Sequence, residues 1–160
     1  MPRDKDSDRS DATAAVRVLR VTSDEDREAA YAVRRLVFQD EQHVPLELEF
    51  DTDDDRALHL IAKAGDVVVG TGRLVLHPDF AKIGRMAVLR EWRRHGVGRA
   101  LLQALMAEAV RSGARRALLH AQVQAIGFYE RSGFIAISEE FDEAGIPHRR
   151  MERELDCTDF

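Results

Sequence analysis

The residues best suited to chemistry form a short loop of arginines and glycines, Arg93–Gly98, followed by Arg99. Gly96 and Gly98 have no Cβ, so the backbone there can approach a ligand closely. The apolar pattern after Gly98 predicts a helix, and a helix N-terminus presents free N–H groups and a partial positive charge. Guanidinium groups pair well with phosphate oxygens. The loop therefore predicts a site for an anion such as a phosphate.

A glycine pair before a helix is a weak signal when it stands alone, because it also fits a tight strand-to-helix connection with exposed arginines. Two common nucleotide sites do not fit these residues. No Gly-Lys-Ser/Thr follows the loop, which excludes a Walker loop. The third glycine and the later acidic residue of a dinucleotide site are also not in place. The expected ligand is therefore a phosphorylated molecule of another kind.

Such a loop needs a strand before it and a helix after it, and the surrounding patterns supply both. Before it, strand-like segments at residues 57–64, 67–76 and 81–89 predict a meander of antiparallel strands. After it, apolar residues at helical spacing predict a helix from Gly98 to the end signal Ser112-Gly113.

The remaining elements complete one domain of ordinary size. They are a strand at 16–21, a helix from Asp24 to about Asp40 capped by Ser23, an acidic loop at 47–56, a strand at 117–121, a short helix at 125–131 and a hairpin of 134–141 with 149–155. This order predicts an α+β fold with a mixed, mostly antiparallel sheet flanked by helices. We expect residues 1–13 to be a disordered tail and residues 14–160 to form a single domain.

Composition narrows the function classes. The net charge of -5 and the pI of about 5.7 disfavour nucleic acid as a partner. The single cysteine, Cys157, makes neither an internal disulfide nor a cysteine-based zinc site, and it has no obvious base beside it. No apolar run approaches the length of a membrane span, and the N-terminus has no apolar signal region. We therefore expect a cytoplasmic protein without membrane partners.

The loop and its surroundings resemble the acetyl-CoA motif of the GNAT family of N-acetyltransferases. The family loop reads Arg/Gln-x-x-Gly-x-Gly/Ala, which Arg93–Gly98 matches, and Arg85–Val88 stands where main-chain groups of the family pair with pantetheine. Downstream, Gln122–Tyr129 followed by Gly133-Phe134 resembles the family's Asn-x-x-Ala-x-x-Phe-Tyr and Gly-Phe motifs. Gln122 departs from the usual Asn; it carries the same amide on a longer side chain. The resemblance covers roughly residues 16–155.

A narrower resemblance concerns the ElaA/YjcF-like branch of that family. It is carried by Phe38–Pro45, Leu48–Asp51, Ala57–Leu60 and Gly145–His148. Members of this branch are mostly predicted acetyltransferases, so the likeness indicates the fold better than the substrate.

The resemblance implies a GNAT-like acyl-CoA N-acyltransferase that uses acetyl-CoA as the acyl donor and needs no metal. The residues it assigns to the donor site are Met86, Ala87, Val88, Arg93, Arg94, His95, Gly96, Val97, Gly98, Arg99 and Gln122. The expected reaction is attack of a neutral amine on the thioester carbonyl.

Tyr129 is the expected general acid, because a tyrosine at this position in resembling enzymes directs its hydroxyl at the cofactor sulfur. The base is left open. The glutamate that many family members carry on the strand before the loop is absent. His120 on the strand after the long helix is the first candidate, followed by His59, Glu41 and Glu49, and a water relay is equally open. A lone histidine on a strand is more often structural.

The acceptor is expected to be a small-molecule or protein amine, with Glu41, Glu49 and His59 as substrate-binding candidates. The acidic run at 51–55 is either a solvated loop or a surface that attracts a cationic amine. The final hairpin offers a strand edge at which a homodimer could form.

Two other functions compete with catalysis. One is a binding module that keeps the acyl-CoA site without turnover, for which the missing strand glutamate leaves room. The other is a phosphate- or nucleotide-binding protein, which the downstream Phe128-Tyr129 motif disfavours.

Overall fold

The computed structural model describes residues 16–160, and the tail predicted for residues 1–13 lies outside the described residues. The helices and strands are β1 (Val16–Arg20), α1 (Asp24–Arg34), a π-helical segment (Arg35–Glu41), α2 (Leu46–Glu49), α3 (Asp53–Arg56), β2 (Leu58–Ala64), β3 (Val67–Leu76), β4 (Ala81–Val88), α4 (Val97–Arg111), β5 (Arg116–Gln122), α5 (Ile126–Glu130), β6 (Ile135–Ala136), β7 (Phe141–Glu143) and β8 (Ile146–Glu154). Short 3₁₀ turns lie at Arg90–Trp92, Val123–Ala125 and Cys157–Asp159.

The strands form one mixed sheet in the order β1-β2-β3-β4-β5-β8-β6, with β7 paired to β8. The meander β2–β3–β4 is antiparallel, as the sequence predicts, and the α+β fold is confirmed. Only β4 and β5 run parallel, because the chain returns through α4 between them. The final segment differs from the prediction: β6 is short, and the hairpin is made by β7 and β8 around Ala144-Gly145.

Strands β4 and β5 stay together for only a short distance. Their register contains two pairs, Ala81 with Ala117 and Lys82 with Leu118. Beyond Lys82, β4 continues along β3 and β5 continues along β8, so the two strands separate. A bulge in β4 accompanies the separation, since the register with β3 shifts and Arg85 has a φ of 51°. The result is an opening in the middle of the sheet.

The core lies between α4 and one face of the sheet. Leu101 and Leu105 of α4 are fully buried there, as are Phe134 and Met151 from the C-terminal half. A Cβ at Gly72 of β3 would lie 2.8 Å from Leu105 Cδ1, so the missing side chain lets α4 lie directly on the strand. This packing fixes the start of α4 at the open edge of β4.

The other face of the sheet is joined to α1 by a buried ionic cluster, which we define as Arg34, Glu49, Asp51, Asp54 and Arg73. Arg34 is 1% exposed and pairs with Glu49 Oε1 at 2.6 Å and Asp54 Oδ1 at 2.7 Å. Arg73 of β3 pairs with Asp54 at 2.9 Å and with Asp51 at 2.6 Å. These bonds hold α2 and α3 as short helical turns in place of the predicted loop.

The cluster corrects part of the interpretation of the acidic run. Asp54 is buried and paired with arginines from α1 and β3, so it is neither solvated nor free to attract a cation. Asp51 is exposed but paired with Arg73, and Asp55 is exposed, as expected of a solvated loop. Burial alone would raise the pKa of Asp54, but hydrogen bonds from Arg34 and Arg73 outweigh it and lower the pKa to about 2.

The cluster predicts a pH-dependent stability. Asp54→Asn should lower the free energy of unfolding by about 3 kcal/mol at neutral pH, because buried guanidinium groups lose their charged partner. A depressed carboxyl pKa contributes stability that is present above about pH 4 and is lost as the pH falls towards 2. The wild-type advantage should therefore shrink by about 2 kcal/mol across that window. Urea unfolding at several pH values measures both effects. Asp55→Asn, an exposed neighbour, is the control; equal losses in the two variants would contradict the prediction.

Candidate functional site

The separation of β4 and β5 opens a cleft of about 1070 Å³. Both strands line it, together with the start of α4, α5, the π-helical segment and the β7–β8 turn. Its residues come from distant parts of the chain and from several helices and strands.

The first end of the cleft is the N-terminus of α4. Gly96 is the residue before the helix, with a φ of 80°, and no side chain of the described residues caps the helix there. A Cβ at Gly96 would meet open space, so the backbone faces the cleft directly. Arg94 and Arg99 also line this end. Uncapped N–H groups, a positive helix end and two guanidinium groups form a site that suits phosphate oxygens.

Arg93 and Glu41 act as a pair beside this loop. Arg93 donates to both carboxylate oxygens of Glu41, at 2.9 Å and 2.8 Å, and to the Val88 carbonyl at 3.0 Å. Glu41 therefore joins the π-helical segment to the loop and does not line the cleft. His95 lies outside the cleft lining as well, with its ring edge against Trp92.

Tyr129 lies in the middle of the cleft, opposite β4. Its hydroxyl donates to Met86 Sδ at 3.8 Å, and its ring meets Phe128 edge-on at 5.0 Å. Burial raises the pKa of Tyr129 to about 12. The phenol is therefore protonated at physiological pH, so it can donate a proton but cannot serve as a base. Met86, Ala87 and Val88 of β4 line the cleft on the side that faces Tyr129.

Gln122 ends β5 and reaches across the cleft. Its Nε2 donates to Gln42 Oε1 at 2.8 Å, while Gln42 Nε2 lies 3.4 Å from Gln122 Oε1. Gln124 donates to the same Gln122 oxygen at 2.7 Å. The amide of Gln122 thus ties β5 to the end of the π-helical segment. The side chain of an Asn at this position is one methylene shorter and would reach less far towards Gln42.

The other end of the cleft contains a cluster of three side chains: His120, Glu143 and His148. His120 Nδ1 lies 2.9 Å from Glu143 Oε1, and His148 Nε2 lies 3.6 Å from Glu143 Oε2. The hydrogen bond from His120 lowers the pKa of Glu143. Sequence reasoning placed His120 in the site and missed its two partners, although the Gly145–His148 run was already conspicuous.

Glu49 and His59, the two remaining residues predicted to bind the substrate, are both buried. Glu49 lines the cleft but is 2% exposed; Oε1 is bound to Arg34, and Oε2 has no hydrogen-bond partner among residues 16–160. His59 does not line the cleft. It lies 2.8 Å from the Asp54 carbonyl oxygen, and burial lowers the pKa of its imidazole. These contacts give His59 a structural role in the ionic cluster.

Residues 16–160 hold no group of three or more His, Cys, Asp or Glu side chains arranged to bind a metal ion. None of their helices combines the length and apolar character needed to cross a bilayer.

The family model and the individual relatives that match this chain agree with one another. A family model described as an acetyltransferase (GNAT) domain matches residues 21–155. The chain is 38% identical over 130 residues to the uncharacterized N-acetyltransferase YjcF of Bacillus subtilis, covering 81% of this chain and 93% of that protein. It is 30% identical over 133 residues to the protein ElaA of Escherichia coli, covering 79% of this chain and 86% of that protein.

Solved structures agree with the sequence relatives. The crystal structure of Escherichia coli ElaA matches with a TM-score of 0.76 at 26% identity, covering 87% of this chain and 98% of that one. An acyl-CoA N-acyltransferase from Pseudomonas aeruginosa matches with a TM-score of 0.75 at 27% identity, covering 86% of this chain and 97% of that one.

The raised pKa of Tyr129 predicts an unusual titration. In a Tyr31→Phe variant, Tyr129 is the remaining tyrosine of the two in the chain. Its phenolate absorbance should appear with a midpoint at about 12, against about 10 for an exposed phenol. An ultraviolet pH titration, with circular dichroism to follow unfolding, measures it. A midpoint near that of free tyrosine in the folded protein would show that the hydroxyl is solvated.

Proposed function

Because the chain belongs to the GNAT acetyltransferase family, we propose that it transfers the acetyl group of acetyl-CoA to a primary amine by direct attack on the thioester. Family membership supports acyl transfer from an acyl-CoA. Acetyl as the acyl group and a primary amine as the acceptor are part of the proposal.

One observation carries the proposal: a protonated tyrosine lies in a sheet opening that ends at an uncapped helix N-terminus. A long ligand with a phosphate group at one end and a reactive group further along fits this arrangement. Arg94, Arg99 and the N–H groups after Gly96 would hold the pyrophosphate. The free edge of β4 at Met86–Val88 would pair with the pantetheine amides, with Gln122 on the opposite side.

Bound acetyl-CoA supplies an activated acetyl thioester. The residues of the chain then have two proton transfers to manage. At pH 7, about 0.1% or less of a primary amine with a lysine-like pKa is neutral, so a base increases the reactive fraction. His120 lines the far end of the cleft and is the proposed base, and Tyr129 Oη is the proposed proton donor to the leaving sulfur.

The acceptor then enters from the end that His120 and Glu49 line. The buried ionic cluster forms the floor of this end of the cleft and limits its width. We therefore propose that Glu49 shapes the acceptor pocket as well as binding the acceptor. We further propose that residues 14–160 act as a single catalytic domain. A small-molecule amine and a protein amine both remain candidates, and a substrate screen distinguishes them.

The test of the function has two steps. Acetyl-CoA should raise the thermal unfolding midpoint, because a ligand selective for the folded state stabilises it. Release of CoA thiol should then be measured with panels of polyamines, amino sugars, amino acids and lysine peptides. No stabilisation at saturating acetyl-CoA would refute the proposal. Binding without turnover across the panels would favour the acyl-CoA-binding module in its place.

Bulk at Gly98 should remove donor binding. A Cβ at Gly98 lies 3.4 Å from Phe128 Cζ and faces the cleft, so Gly98→Trp would fill the space beside the helix N-terminus. We expect acetyl-CoA affinity to fall at least about 100-fold by calorimetry, roughly 2.7 kcal/mol. Ala100→Trp is the matched control, since it adds the same bulk to the same helical turn on an exposed position. Equal affinities of the two variants would count against the assigned donor site.

Loss of the Tyr129 hydroxyl should separate turnover from binding. Tyr129→Phe should lower kcat about 100-fold while the acetyl-CoA Kd changes little, because the ring remains and only the proton donor is removed. Steady-state kinetics and calorimetry measure the two quantities. Tyr31→Phe, which removes a hydroxyl from a residue that does not line the cleft, is the control. Unchanged kcat over a range of pH would exclude Tyr129 as the acid.

A further inference from the structure

We propose that Glu143 and His148 are positioning residues that hold His120 in the tautomer with hydrogen on Nδ1, leaving Nε2 bare to take the proton of the acceptor amine. The inference deepens the proposed function and rests on it for the identity of the reaction. The arrangement of protons within the three side chains rests on geometry alone.

The fold places all three side chains on one face of the sheet. His148 of β8 is the register partner of Gln122 on β5 and of Phe141 on β7. Residues two apart on a strand point to the same side, so His120 and Glu143 share that face with it. The turn between β7 and β8 is tight, with positive φ at Ala144 and Gly145, which fixes Glu143 opposite Ile146.

Hydrogen-bond chemistry then assigns the protons in order. His148 Nδ1 lies 2.7 Å from the Ile146 carbonyl oxygen, and a carbonyl only accepts, so this nitrogen carries hydrogen. An ionised carboxylate also only accepts. His120 Nδ1, at 2.9 Å from Glu143 Oε1, must therefore carry hydrogen too. A neutral imidazole has one N–H, which leaves Nε2 of His120 as the basic atom.

The second histidine lies on the other side of the same carboxylate. His148 Nε2 is 3.6 Å from Glu143 Oε2, which is beyond hydrogen-bond distance, so His148 confines the carboxylate between the two rings by packing. The His148 side chain is 9% exposed, while that of Glu143 is 43% exposed and stays hydrated. Phe141 packs against both rings, edge-on to His120 at 5.2 Å and stacked on His148 at 6.1 Å. The rings therefore have little freedom to turn away.

The titratable and charged groups near His120 come from three strands. They are Glu143 of β7, His148 and the register partner Arg150 of β8, and Lys82 of β4, which lines the same cleft. The hydrogen bond from His120 comes first among the causes that lower the pKa of Glu143, and His148 and Lys82 add to it. The carboxylate therefore remains ionised at the pH at which an imidazole acts as a base.

The tautomer can be tested without any reaction. Nitrogen-15 NMR of the imidazoles, assigned with a His120→Gln variant, should show His120 as the Nδ1–H form in the wild-type protein. Glu143→Ala should shift it to a mixture of both tautomers. Glu140→Ala, an exposed acid on the preceding loop, is the matched control and should change nothing. A wild-type His120 in the Nε2–H form, or no change in Glu143→Ala, would overturn the proposal.

Kinetics test the consequence. Glu143→Ala should lower kcat about tenfold and leave the KM for acetyl-CoA unchanged. Removing a negative charge beside the imidazole destabilises its protonated form, so the acidic limb of the kcat/KM profile should move to lower pH. Glu143→Gln, which keeps an oxygen acceptor but no charge, should retain the tautomer and still move the limb. A merely structural role of Glu143 would lower activity without moving the profile.

The two readouts separate the inference from the function beneath it. If Glu143→Ala loses the Nδ1–H tautomer of His120 while kcat and the pH profile of kcat/KM stay unchanged, the positioning role of Glu143 is overturned. A wild-type protein that binds acetyl-CoA and never turns over would refute the proposed function, and the NMR result would still decide the proton arrangement.

His148→Ala should give a smaller effect in the same direction on both measurements, and no effect on either would remove His148 from the role.

Discussion

The site depends on one feature of the sheet, the separation of β4 from β5 after the pair Lys82–Leu118. Two neighbouring strands that part in the middle of a sheet leave a row of backbone N–H and C=O groups without ladder partners. Buried groups of this kind are unfavourable unless a ligand or water satisfies them. The opening therefore offers backbone groups with which a strand-like ligand can pair, and this supports the proposed donor site.

Several distant contacts keep the opening at its width. The bulge at Arg85 turns β4 away, and Arg85 Nε donates to the Glu49 carbonyl at 2.8 Å, which joins the bulge to α2. Desolvation, followed by the nearby Arg73, lowers the pKa of Arg85, while Asp51 and Glu49 oppose the shift, so the bulge lies against the ionic cluster. On the opposite side, the Gln42–Gln122 amide pair sets the distance between the π-helical segment and β5. Stability and site geometry are thus carried by the same ionic cluster and the same few bonds.

The sequence predicts the local parts of this arrangement well. The meander and the start of α4 follow from periodicity, because each depends on neighbours in the chain, whereas Tyr129 is singled out through the family resemblance and its role stays a prediction. The partners of charged residues do not follow in this way. The run at 51–55 looks solvated because its arginine partners, Arg34 and Arg73, lie about twenty positions away on either side. His59 and His120 look alike as strand histidines, and only the packing shows that one is buried beside Asp54 while the other faces the cleft.

The division of proton transfers follows from these environments. A phenol whose pKa burial has raised to about 12 stays protonated, so Tyr129 is suited to give a proton and unsuited to take one. Glu49 and Asp54 are committed to buried arginines, which keeps them from accepting a substrate proton without breaking the cluster. Glu41 is held by Arg93 outside the cleft. Among the groups that sequence reasoning offered as bases, His120 alone combines access to the cleft with a carboxylate that orients its ring. The absence of the strand glutamate is therefore compatible with the proposed catalysis, because the neighbouring strand β5 presents His120, the proposed base, to the same opening.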